Sequence, residues 1–226
     1  MNLTLNEHLE RIKNKLPPSA TKDDIARSVA FTGYRPEKLP FGYDYECELA
    51  QKVMAALYSI YEKLFLKGYR FFLTGGAMGS DLLAADVISQ LKKNYGSQAR
   101  HVSNYICLPC HDHIKKWDQK EKDHLEKLLN GDTYPFYVSD RPYFSGCMQV
   151  RNRYMVDTSA VLVAVYDGKP GGTRNTVEYA EKIKKKIVII NPNDGSKNEL
   201  FLKPADTSYK LNFLNSSKLE YRTKYQ

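Results

Sequence analysis

The chain has 226 residues, 42% of them apolar and 27% charged, with a formal net charge of +8. That length suits one sizeable α/β domain with extensions, and the composition is that of a soluble globular protein rather than a disordered or fibrous one. No apolar run reaches the ~20 residues that span a bilayer, and Met1 to His8 lacks the basic-then-apolar order of a signal peptide, so the expected compartment is the cytoplasm.

In chain order, Leu5, Leu9, Ile12 and Leu16 share one face of a helix that Pro17 and Pro18 end. This predicts a helical extension over residues 1–28, packed on the domain or on a partner copy. Val29 to Phe31 is a first strand, followed by a turn-rich loop from Thr32 to Pro40. Leu49, Val53, Leu57, Ile60 and Leu64 keep helical spacing between Cys47 and Lys67. A strand follows at 69–74, then a helix from about 79 to 94 and a strand at 102–108. His111 to Leu129 reads as one charged helix containing the single tryptophan, Trp117. Thr133 to Val138 is a strand that Pro135 marks as an edge. A linker at 139–146 leads to a helix over 147–158. The strand at 160–166, the helix at 173–185 and the strand at 187–190 complete the pattern. Strands alternating with helices predict a Rossmann-like, doubly wound, mostly parallel sheet over residues 29–190. Residues 191–226 are polar and weakly periodic, and irregular coverage is expected there.

Two strand-to-helix junctions are rich in glycine. In the first, Thr74 to Asp81 contains Gly75, Gly76 and Gly79; in the second, Asp167 to Thr173 contains Gly171 and Gly172. A helix that starts behind glycines offers unpaired N–H groups and the positive end of its dipole to an anion. A tight turn that binds nothing is the competing reading of the first loop taken alone, and two such loops are harder to dismiss as turn chemistry. The first loop has neither the GxGxxG spacing nor a Walker lysine. In a parallel sheet both would face one crevice beyond the carboxyl ends of the strands. Replacing Gly76 by a bulkier residue is expected to abolish ligand binding without unfolding the domain.

Arg151 lies on the helix at 147–158, where it either clamps a ligand phosphate or pairs structurally with Asp81 or Glu178. Glu178 reads either as a residue of the first helical turn favoured by the dipole, or as an acceptor for ribose hydroxyls or a general base. Arg35 is a second clamp or a surface residue in a turn. Cys107-Leu-Pro-Cys110-His111 has the spacing of a haem-attachment motif, with His113 as a further ligand. Export is unsupported and Cys47 and Cys147 stand isolated, so reduced buried thiols and no metal are expected. The cations are interspersed with acids, and Lys182 to Lys186 closes a predicted helix, so nucleic acid is a minor expectation beside small anionic ligands.

Four motifs in order, FTGYRPEKLP at 31–40, LTGGAMGSDLLAAD at 73–86, MQVRNRYMVD at 148–157 and VYDGKPGGTRNTVEYA at 165–180, resemble the YpsA-type branch (DUF1273) of the SLOG superfamily. That superfamily is Rossmann-like and also includes DprA and the cytokinin-activating phosphoribohydrolases (LOG). The resemblance implies a nucleotide or nucleotide-derived ligand held between the glycine loops. With the loops it marks Thr32, Gly33, Arg35, Gly75, Gly76, Met78, Gly79, Asp81, Arg151, Asn152, Asp167, Gly171, Gly172, Thr173, Thr176 and Glu178 as ligand-binding positions. The phosphoribohydrolase pattern would make Arg151 and Glu178 catalytic. This chain departs from it at Asn152, where that pattern has lysine, and at Arg174-Asn175, where it has Gly-Thr. A ligand sensor is therefore expected before an N-glycosidic hydrolase of nucleoside monophosphates or NAD-type nucleotides. No further cofactor is required. Self-association as a homodimer or higher homo-oligomer is expected, with the first helix as a candidate contact.

Overall fold

The structure, a computed structural model, describes residues 2–13, 15 and 17–200. Seven strands form one sheet: β1 (Ser28–Gly33), β2 (Phe71–Thr74), β3 (Ser103–Leu108), β4 (Tyr134–Tyr137), β5 (Val161–Val165), β6 (Lys186–Ile190) and β7 (Lys197–Leu200). Their order is β4-β3-β2-β1-β5-β6-β7, parallel except for the antiparallel β6–β7 pair. Ala30 of β1 lies opposite Leu73 of β2 on one side and Leu162 of β5 on the other.

The apolar runs are continuous because both faces of the sheet are covered. Val29, Phe31, Val161, Val163 and Val165 pack against α3 (Glu48–Leu66) and part of α4 (Ser80–Tyr95). Ala30, Leu162 and Ala164 face the other way, onto α6 (Cys147–Asp157) and α7 (Gly172–Lys182). The chain is thus a doubly wound α/β protein. β1 continues to β2 on one side while β5 lies on its other side, which places the topological switch point, and the crevice it opens, at the carboxyl ends of β1 and β5.

Several boundaries differ from the sequence reading. The helix expected from His111 begins only at Gln119: α5 (Gln119–Leu129) starts where the Asp118 side chain accepts a hydrogen bond from Glu121 N–H, and 111–116 are turns that lead to the buried Trp117. A short helix α2 (Lys22–Ala26) was not foreseen; a capping box between Thr21 and Asp24 starts it. Of residues 191–226, where irregular coverage is expected, 191–200 form a hairpin with Gly195 at φ 74 in the turn and β7 paired to β6, and 201–226 fall outside the described residues. Pro135 does lie on an edge strand, β4.

The extension contains α1 (Leu5–Ile12), and Leu16 falls outside the described residues. Leu5 and Ile12 are buried in a cluster with Leu82, Ile106, Leu125 and Leu128 of the same chain. Asn130 exchanges hydrogen bonds with the Leu3 backbone at 2.9 and 2.8 Å, and the Glu126 carboxylate accepts from Leu5 N–H at 2.8 Å. Of the two placements open to this helix, its own subunit has taken it. Among the described residues no helix is long and apolar enough to cross a membrane.

Candidate functional site

Among the described residues, the seven α-helices start in two different ways. Thr4, Thr21, Cys47 and Asp118 cap α1, α2, α3 and α5 with their side chains. α4, α6 and α7 begin at Gly79, Gly146 and Gly171, which have no side chain to give. In a parallel sheet these three helices start on the side of the strand carboxyl ends, where the crevice lies.

The α4 start is filled by the protein itself. Arg151, 4% exposed, crosses from α6 and donates to Gly75 O and, at 3.4 Å, to Cys107 O; its Nη1 is 3.6 Å from Asp81 Oδ2. Asp81 in turn accepts from Ala77 N–H at 3.3 Å. Burial pushes the Asp81 carboxyl up, opposed by the Arg151 guanidinium, and burial likewise lowers Arg151, opposed by Asp81. A Cβ on Gly75 would meet the Arg151 guanidinium and, at 2.5 Å, Asp81 Oδ2; one on Gly76 would meet Ile106 and Leu108 at 2.8 Å. One on Gly33 would strike Ser80 Cβ at 2.4 Å, and one on Gly79 would strike Pro36. The glycines here leave room for neighbouring protein groups. The structural pairing is thus the geometry Arg151 has, with Asp81 as its partner and not Glu178. A bulkier residue at Gly76, expected to leave the domain folded, would carry a packing cost against Ile106 and Leu108.

The α7 start is different. Among the described residues, nothing lies within 4 Å of where a Cβ on Gly172 would sit. α7 has no acid in its first turn. Lys38, from the loop after β1, donates to Pro170 O at 2.7 Å, and its Nζ lies 2.6 Å from where a Gly171 Cβ would sit. A lysine ammonium beside the positive end of a helix is electrostatically unfavourable unless an anion joins them. Sequence reasoning missed Lys38 although it lies in FTGYRPEKLP, because only the folding of that loop over α7 gives it this position.

The remaining positions mostly hold the loops together. Thr173 Oγ1 donates to Gly33 O at 2.9 Å. Thr176 Oγ1 donates to Gly172 O at 2.9 Å and accepts from Asn152, which also accepts from Arg151 Nε at 2.7 Å. Thr32 is buried in β1, Met78 is half-buried on the α4 loop, and Arg35 is exposed beside the crevice. Asp167 accepts from the Tyr34 hydroxyl at 2.6 Å and pairs with Lys169 at 2.7 Å. Desolvation alone would raise the Asp167 carboxyl, but hydrogen bonds from Lys169, Tyr34 and Asn193 hold it well below the carboxylate range; Tyr34 is pushed up to about 12 by burial and by Asp167. Ser80 and Tyr34, two further residues the sequence did not single out, tie α4 to the β1 loop by a 2.8 Å bond from Ser80 Oγ to Tyr34 O. Glu178 stands apart. It is in the second turn of α7, not the first, and pairs with Arg174 at 2.6 Å on the exposed face.

On the β3 side, His113 is buried and its Nδ1 lies 2.9 Å from Cys110 O. A carbonyl only accepts, so Nδ1 carries the proton and Nε2, which has no partner among the described residues, presents its lone pair. Burial lowers this imidazole to about 4. Cys107, Cys110 and Cys147 are buried thiols, and Cys147 is not isolated: its sulfur is 3.7 Å from that of Cys110. Among the described residues no group of three His, Cys, Asp or Glu side chains is placed to hold a metal. A depression of ≈ 410 Å³ lies at the other end of α4, where Lys92 is already paired with Asp132 at 2.5 Å. Its lysines are helix-end residues that complement the last carbonyls, so the crevice at the glycine loops is the better candidate.

The model of the YspA SLOG family (YpsA) matches residues 29–194. An uncharacterized SPbeta prophage-derived protein, YoqJ, of Bacillus subtilis is 35% identical over 143 residues, covering 58% of this chain and 81% of that protein. A UPF0398 protein of Bacillus pumilus is 26% identical over 146 residues, covering 64% and 76%. The solved structure of DNA processing protein A (DprA) from Streptococcus pneumoniae superposes with a TM-score of 0.50 at 13% identity, covering 97% of this chain and 72% of that one. At that identity the likeness is one of fold.

Proposed function

The chain belongs to the YspA SLOG family, and from that footing we propose that it binds a phosphate-bearing nucleotide, or a nucleotide-derived ligand, at the start of α7, as a ligand sensor and not as a hydrolase. One observation carries the reading: the uncapped, acid-free start of α7 has Lys38 beside it, two positive ends that a bound phosphate would reconcile. The open space at Gly172 lets an anion reach the backbone N–H groups. Arg35 at the rim supplies a further cation, while Gly75, Gly76, Gly79, Asp81 and Arg151 shape the wall without touching the phosphate.

Hydrolysis would need a carboxylate at the anomeric carbon. Glu178 is held by Arg174 on the outer face and Asp81 is held by Arg151, which weighs against both. Self-association belongs to the reading as well, through a face other than the one α1 has buried; light scattering tests it, and a monomer at all concentrations ends it.

The ligand experiment is thermal stabilisation and calorimetry with inorganic phosphate, nucleoside monophosphates, NAD, ADP-ribose and a 5′-phosphorylated oligonucleotide. The oligonucleotide is included because the S. pneumoniae neighbour is named for DNA processing, and its arm decides the expectation against nucleic acid. We expect stabilisation by at least one nucleotide without release of base, weakened about tenfold in Lys38→Ala. No stabilisation by any compound, or equal affinity in Lys38→Ala, sinks the site. Release of base or nicotinamide that is lost in Glu178→Gln would instead establish the hydrolase.

A further inference from the structure

Two of the buried thiols come from elements far apart in sequence and meet. Cys110 follows β3 and Cys147 is the first residue of α6; 37 positions separate them, yet their sulfurs are 3.7 Å apart. Both are at most 1% exposed. Cys107, by contrast, is fixed within β3 opposite Phe136 of β4, and Cys47 caps α3.

We propose that Cys110 and Cys147 form an oxidisable pair that closes into an intramolecular disulfide, a modification site independent of the ligand reading. A disulfide has an S–S distance of about 2.05 Å, so the sulfurs must approach by about 1.7 Å from their 3.7 Å contact. Both sides can supply that movement. Cys147 follows Gly146, whose φ of 90° belongs to an αL turn, and no side chain caps this helix. Cys110 lies between the end of β3 and the turns that precede α5. Neither change disturbs the sheet register.

The oxidant is a peroxide. One thiolate sulfur attacks a peroxide oxygen, the O–O bond breaks, and hydroxide leaves to give a sulfenic acid. The second sulfur then attacks the sulfenic sulfur, the S–O bond breaks, and the departing hydroxide takes the second thiol's proton as water. Two thiols and one hydrogen peroxide thus become one disulfide and two waters. Burial and the neighbouring Cys147 push the Cys110 thiol up to about 12, which leaves little thiolate, so the first step is slow and calls for excess peroxide. Once formed, the bridge would tie the segment that holds His113, through Cys110 O, to the helix that carries Arg151.

The test uses the full chain. It is treated with excess hydrogen peroxide, blocked by alkylation, and digested without reduction. Of the four cysteines, two should lose their reactivity, the linked peptide should join Cys110 to Cys147, and dithiothreitol should restore all four. Cys147→Ala should yield no linked peptide and keep three reactive thiols. Four surviving thiols in the treated chain, a bridge that includes Cys47 or Cys107, or over-oxidised cysteines without a linked peptide would each overturn the proposal.

Discussion

The two glycine-rich loops read alike in sequence and differ in what lies beside them. At Gly75 and Gly76 the missing side chain leaves room for Arg151, Asp81, Ile106 and Leu108, while at Gly172 it leaves open space. The first loop is a packed joint between β2, α4 and α6; the second is an exposed helix start with a lysine drawn over it. A glycine thus reports that something comes close to the backbone, and only the fold says whether that something is protein.

The comparison can be broken most forcefully at Arg151. Arg151→Ala would strand a buried Asp81 beside Gly75, and a loss of about 4 kcal/mol in urea unfolding is expected; a loss under 1 kcal/mol would show that the first loop is not packed as described. The same half of the molecule should be acid-sensitive. His113 is lowered from 6.5 to about 4, so between those values the unfolded chain binds a proton that the folded chain refuses. Its contribution is whole above pH 6.5 and is lost as pH falls towards 4, by about 3 kcal/mol, and His113→Gln should flatten that part of the pH–stability curve. Gly76→Ala combines a φ of 58° with the clash against Ile106 and Leu108, and should cost about 2 kcal/mol.

Across the divide the sign of the experiment changes. Gly172→Ala should alter stability by less than about 0.5 kcal/mol, because nothing is there to meet, yet weaken the nucleotide by about tenfold. A destabilised Gly172→Ala would make the two loops alike after all. Glu178→Gln, removing an exposed pair with Arg174, should change stability by only a few tenths of a kcal/mol and leave ligand affinity unchanged.

The sequence made the alternating architecture plain because that signal is local: Val161 to Val165 has to be a strand covered on both faces, and Leu49 to Leu64 has to be a helix. It also marked both glycine loops. It did not show which was open, since that depends on Lys38 reaching Pro170 and Arg151 reaching Gly75 across stretches of 132 and 76 residues. The same reason hid Cys147 from Cys110. The late start of α5 turned on Asp118, whose cap outweighed a helical pattern running on from His111. α2 escaped notice because five residues leave no periodicity to count.

Pro135 has a consequence for how copies of this chain can meet. Val138 N–H donates to Leu108 O at 2.8 Å, so the two-residue period of the strand turns Phe136 towards β3 and Pro135 outward. An intruding strand would look there for a donor and find a pyrrolidine ring. That rim of the sheet lacks one donor at its second residue, which disfavours edge-to-edge growth through it.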